Sequence, residues 1–186
     1  MNADVQEWLR QNTAIQEDAR RLAAGLSDAQ FNWSPAVGRW SIGQCLDHLN
    51  ISNAKQLALL ETGIARGRVE GRLGDGPFRY GLVSRLFRRI MEPPVRLRWV
   101  KAPPPFQTAA DKAAAEVTGE FQAIHERLIE ALRQADGLDL PGVRVTSAFN
   151  DKIDYSLGMA FWIMAAHDRR HLWQAWQVRR SPGFPA

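Results

Sequence analysis

Apolar residues recur with helical spacing in four long stretches of this chain, and Gly and Pro interrupt the pattern between them. Val5, Trp8, Leu9, Ile15, Ala19, Leu22 and Leu26 mark one face and predict a helix from about Asp4 to Leu26. Gly25 and the stretch SDAQFNWSP break it. Ser41 with Gln44 three residues on has the form of a capping box, and Trp40 before it can staple against Cys45. The stripe Ile42, Leu46, Leu49 and Leu60 carries this second helix to about Ile64. Residues 67–107 are rich in Gly and Pro around one amphipathic piece, FRYGLVSRLFRRI, and read as a long connection containing a short helix. A third helix is expected from Thr108, where TAAD resembles a cap, along Phe121, Ile124, Leu128, Ala131, Leu132 and Ala135 to Gly137. GLDLPGVRVTSAFN reads as a loop with a short extended piece, and a fourth helix spans about Asp154 to Arg179, stopped by Ser181-Pro182-Gly183. Four long helices, one long crossover and two short connections predict an all-α fold, a four-helix bundle forming a single domain over residues 1–186.

Composition narrows the class without changing that fold. Hydrophobic residues at 45% and charged ones at 24% suit a globular chain, and no stretch has the apolar length of a membrane span. The amphipathic, acid-containing N-terminus resembles neither a secretory signal nor a transit peptide, and one cysteine excludes an internal disulfide. A cytoplasmic location is the expectation. The net charge of +4 is unevenly spread. From Arg66 to Lys101 stand ten Lys/Arg and three acids, a candidate surface for nucleic acid or another anionic partner. No groove-reading or aromatic-interleaved motif accompanies that charge, so a solvated connecting segment is the preferred reading and nucleic acid is not the expected partner.

Candidate chemistry concentrates in the fourth helix, where HDRRH places His167 and His171 one turn apart. Imidazoles at that spacing lie on one face and can converge on a single ion. The face they share with Ala160, Ile163, Met164, Gln174 and Val178 is apolar, so it turns inward. Gln174 is the one evident local partner for two buried rings, which favours a third ligand from another helix over two satisfied core residues. Asp168 points about 100° away and is a poor base for the same ion. Two histidines remain. His125 lies among Phe121, Leu128 and Leu132, where packing with its polar edge at the helix margin is the expectation. His48 shares a polar seam with Ser41, Gln44, Ser52 and Lys55, a better setting for the mouth of a site.

WSIGQCLDHL, VKAPPPFQT and AAHDRRHLWQ, in that order, resemble the DinB-like superfamily, in the branch containing YfiT-type bacillithiol transferases once described as metal-dependent hydrolases. The resemblance covers about residues 5–180. It implies an up-down-down-up bundle and a divalent metal, nickel or zinc, held by His48, His167 and His171 with water in the remaining positions. It further implies a homodimer and a low-molecular-weight thiol as co-substrate. An ion with three neutral histidines and open positions acts as a Lewis acid or lowers the pKa of a bound water or thiol. The expected function is therefore a thiol S-transferase or hydrolase acting on a small electrophilic substrate. The alternative is a non-catalytic stress-response or nucleic-acid-binding module using the 66–101 segment. Lesser site candidates are Lys55 toward an anionic group, Arg170 as a carboxylate clamp or ion-pair partner, Gln174 beside the ligands, and Cys45, for which a buried apolar role is preferred. Trp162, Trp173 and Trp176 are expected in the core or at a subunit interface.

Overall fold

The computed structural model describes residues 1–81, 86, 89–94 and 104–186. These residues are mostly helical, with one small two-stranded sheet, so the fold is all-α. Helix α1 (Ala3–Ala23) is capped by Asn2, whose side chain accepts from the Asp4 amide. A short α2 (Asp28–Phe31) follows, capped by the reciprocal Ser27–Gln30 box. The expected box at Ser41 and Gln44 starts α3 (Ile42–Val69). A 3₁₀ turn at Pro104–Phe106 precedes α4 (Ala114–Ala135). Strands β1 (Arg144–Thr146) and β2 (Asp154–Ser156) pair antiparallel, with Val145 opposite Tyr155, and lead into α5 (Leu157–Arg179).

Two apolar clusters fill the interior. One takes Val5 and Trp8 from the start of α1, Leu57 to Ile64 from the end of α3, Leu128 to Ala135 from the end of α4, and Leu157 to Met164 from the start of α5. The other takes Ile15 to Leu22, Ile42 to Leu49, Val117 and Phe121, and Leu172 to Val178 from the opposite ends of the same helices. His48, His167 and His171 stand in sequence beside members of this second cluster, Leu46 and Leu49 on α3 and Ala165 and Leu172 on α5. No helix among the described residues is long and apolar enough to cross a membrane.

Several element boundaries differ from the periodicity, each for a tertiary reason. Helix α1 stops at Ala23, three residues short of Leu26. Helix α3 runs five residues past Ile64 because Gly63 and Gly67 let it lie directly on β1; an added Cβ at either would stand 2.8 Å from a valine methyl of Val145 or Val143. Helix α4 begins six residues after Thr108. The TAAD segment is drawn out of helical geometry: the Ala109 amide donates to Asp47 at 3.2 Å, and Asp111 takes a left-handed φ of 63°. Ala113 cannot cap, so Asp28 caps α4 from another element, accepting from the Ala114 amide at 2.8 Å. Helix α5 starts at Leu157 because residues 154–156 are used by the sheet, and Ser156 caps it. In the long connection Leu86 and residues 89–91 are helical, as the amphipathic piece predicts. Residues 78–81 at the start of that piece are not helical, and its residues 82–85, 87 and 88, the start of VKAPPPFQT, and Arg96, Arg98 and Lys101 lie outside the described residues.

Candidate metal centre

His48 comes from the second turn of α3, and His167 and His171 from the middle of α5. One nitrogen of each ring lies within 4.8 Å of one nitrogen of both others. The ring centroids are 4.6 Å apart for His48–His171 and His167–His171, and 5.1 Å apart for His48–His167. The Nε2 atoms of His48 and His167 stand 3.3 Å apart. Two nitrogens each about 2.0–2.1 Å from a tetrahedral ion would be separated by about 3.3 Å, so this spacing already suits a shared ion.

The proton positions agree with ligation. His48 Nδ1 is 3.0 Å from the Phe106 carbonyl oxygen, which can only accept, so Nδ1 carries the hydrogen and Nε2 presents its lone pair toward His167. His171 Nδ1 is buried with no hydrogen-bond partner among the described residues. His48 and His167 are 4% and 8% exposed. Burial pushes all three imidazoles below their ordinary pKa, His167 to about 3 and His171 well down. The neighbouring rings and Arg170 push His167 and His171 further in the same direction, while Gln174 partly offsets the shift at His171. Three neutral imidazoles facing one another, His48 and His167 buried and His171 partly exposed, make a nitrogen donor set of the kind that binds zinc or nickel.

Aromatic rings flank this cluster. Trp40 packs against the apolar cluster that holds Cys45, and its ring lies 5.0 Å from His48 and 5.6 Å from His171. Phe149 meets the edge of His167 at 5.7 Å and stacks on Phe106 at 4.5 Å, while remaining 39% exposed. Lys55 is exposed and sets its ammonium 4.9 Å over the Phe106 ring, one side chain removed from the histidines.

The other candidates separate. Gln174 acts on His171, and Arg170 is half-buried beside the pair. Cys45 lies in the apolar cluster with its thiol pushed up by burial, outside the histidine group, which matches the small-hydrophobe reading. Ser52 is buried and donates to the Leu49 carbonyl. His125 corrects its expectation: it is fully buried with no edge at the helix margin, its ring tilted against Phe121 at 4.2 Å, with Nε2 3.6 Å from the Asp168 carboxyl. Asp168 turns away from the histidines, as its angle predicts, and accepts from Asn53 at 2.7 Å. Arg169 makes an ion pair to Glu92 and also bonds Gln11. Within the basic segment Arg66 donates to the Arg144 carbonyl, Arg68 to the Gln134 and Asp136 carbonyls, and Arg72 to Glu70, so these three tie the chain together.

Sequence reasoning missed Asp47, Lys112 and the Phe106 carbonyl. Asp47 is 1% exposed, bonded to Lys112 Nζ at 2.7 Å and to the Ala109 amide. No spacing rule links residue 47 to residues 106–112; the one available signal was a carboxylate directly preceding His48 on an otherwise inward turn.

Neither curated proteins nor solved structures yield a match to this chain. A family model described as the DinB superfamily matches residues 11–175, which include all three histidines of the cluster. The chain belongs to the DinB superfamily.

Proposed function

We propose that the protein is a metal-dependent enzyme of the thiol S-transferase or hydrolase type, acting on a small electrophilic substrate through a divalent ion held by His48, His167 and His171. The observation that carries this reading is the convergence of three neutral imidazoles from two helices, two of them buried, with His48 held in the tautomer that presents Nε2. The ion, nickel or zinc, supplies Lewis acidity and brings the pKa of a coordinated water or thiol toward neutrality. The chain's own residues do the rest. The Phe106 carbonyl orients His48, Trp40 and Phe149 keep bulk water from the flanks, and the exposed Lys55 ammonium can meet an anionic group near the entrance. Arg170 adds positive charge beside His167, suited to holding a carboxylate.

The same reading takes the four long helices as an up-down-down-up bundle. Its support is the sharing of one apolar cluster by the starts of α1 and α5 and the ends of α3 and α4. A cytoplasmic homodimer using a low-molecular-weight thiol completes the proposal. Elemental analysis of protein purified without chelator and reconstituted with nickel or zinc tests it: about one ion per chain is expected, and loss of that ion in His48→Ala and His167→Ala. A wild-type protein that stays metal-free after reconstitution would refute it. Thiol-conjugation and ester-hydrolysis screens on the loaded protein then divide transferase from hydrolase.

A further inference from the structure

His48 and its neighbour Asp47 are both attached, from adjacent positions on α3, to one short strap running from Phe106 to Lys112. His48 Nδ1 donates to the Phe106 carbonyl at 3.0 Å. Asp47 accepts from the Ala109 amide at 3.2 Å and from Lys112 Nζ at 2.7 Å. The contacts close a ring: along α3 from Asp47 to His48, across to Phe106, along the strap to Ala109, and back to Asp47. Asp47 is 1% exposed, whereas the Lys112 side chain is one-third exposed, so the carboxylate has been taken out of water to make this bond. Burial of a carboxylate is costly unless it is paired and hydrogen-bonded, and here both of its oxygens are used on the strap.

The strap has reason to need such an anchor. Past Phe106 it is not helical, it contains the left-handed Asp111, and its amides are not satisfied by a regular ladder. Its further ties are Asn32, which donates to the Lys112 carbonyl at 2.9 Å, and the stack of Phe106 on the exposed Phe149. Without Asp47, nothing from α3 below Phe106 grips the backbone between 107 and 112 among the described hydrogen bonds. A carbonyl fixed at 3.0 Å from Nδ1 sets both the tautomer of His48 and the direction of Nε2.

We propose that Asp47 is a positioning residue for His48: by clamping the strap at Ala109 and Lys112 it holds the Phe106 carbonyl on Nδ1, and so aims Nε2 at His167 and His171. This rests on the proposed metal centre for its purpose, but not for its geometry. The competing account is that packing of Trp40 against the His48 ring, at 5.0 Å, is sufficient to orient it.

Nitrogen-15 NMR of the imidazoles in the metal-free protein separates the two accounts. Wild-type His48 should be the Nδ1–H tautomer with slow hydrogen exchange. In Asp47→Ala, and independently in Lys112→Met, exchange at that Nδ1–H should quicken by about tenfold or more. Affinity for nickel or zinc, measured by chelator competition, should fall by about tenfold or more in both, the usual range for loss of support behind a ligating histidine. Lys112→Met touches the clamp from outside the helix, so it decides the matter should Asp47→Ala not fold. Wild-type exchange in Lys112→Met, or a wild-type Nε2–H tautomer, overturns the proposal. Faster exchange with unchanged metal affinity overturns it too, leaving Asp47 a purely structural role. A wild-type protein that binds no metal removes the proposed function instead, while the tautomer and exchange rate still report on the clamp.

Discussion

Asp168 is the least expected neighbour of the histidine cluster, because a carboxyl group next in sequence to His167 turns wholly into the apolar interior. Both it and His125 are fully buried, and three of their polar atoms have no hydrogen-bond partner among the described residues. Burial raises the Asp168 pKa to about 7 and lowers that of His125 to about 4, each moving toward its uncharged form. The Asn53 amide, at 2.7 Å, is the one described hydrogen bond this carboxyl accepts. Asn53→Leu should therefore destabilise the protein by about 2–3 kcal/mol, the cost of leaving a buried polar group unsatisfied. Urea unfolding measures it. The double variant Asn53→Leu/Asp168→Leu should recover part of the loss, since an apolar pair leaves nothing unsatisfied. A purely additive result would show that the two residues are not coupled.

Among the elements, α3 illustrates where local preference and tertiary packing oppose each other. Gly63 and Gly67 sit inside a long helix, where alanine is favoured by about 1 kcal/mol. Gly63 nevertheless faces Val145 of β1, and Gly67 faces Val143 just before it, at a distance that leaves no room for a methyl group. Overpacking of a filled interior costs about 1–3 kcal/mol, which exceeds the propensity gain. Gly63→Ala should lower the thermal midpoint, and an unchanged or higher midpoint would show that Val145 yields freely. The same contrast explains what could be read from the chain in advance. Helical periodicity and the Ser41–Gln44 box are local, and they located α1, α3 and α5 to within a few residues. The start of α4 depends on Asp28 and Asp47, residues 86 and 62 positions away, so TAAD looked like a cap and was not one. His48 was legible from its polar seam and from the order of motifs. The burial of His125 was not, because the carboxyl group it faces belongs to another helix.

For the molecule as a whole, the buried imidazoles determine how acid acts on it. His48, His125, His167 and His171 all have pKa values lowered by burial, with His125 at about 4 and His167 at about 3. In the unfolded chain the same groups bind protons near pH 6.5, about where free imidazole titrates. Their contribution to stability is thus complete above about pH 6.5 and is lost as pH falls toward 4 and below. His125 alone accounts for a loss on the order of 3 kcal/mol across that window. Asp168, raised to about 7, works in the opposite direction by favouring the folded state as pH falls, but it is one group against four. Denaturant unfolding of the metal-free protein should show a clear drop in stability between pH 7 and pH 4.5, and a flat profile would contradict the burial of the four rings.

His48 and His167 are 119 positions apart, and their facing nitrogens nonetheless stand 3.3 Å from each other. A ligand gripped by both would join α3 to α5 as a cross-link joins two distant points of a chain. Such an ion would bind the folded protein and leave the unfolded chain, so it would stabilise by mass action and not by restricting the unfolded ensemble. Unlike a disulfide, that tie would be set by the free concentration of the ion, adding about 2.7 kcal/mol at a hundredfold excess over Kd. The histidine cluster would thereby make the protein's persistence in the cell a readout of metal supply.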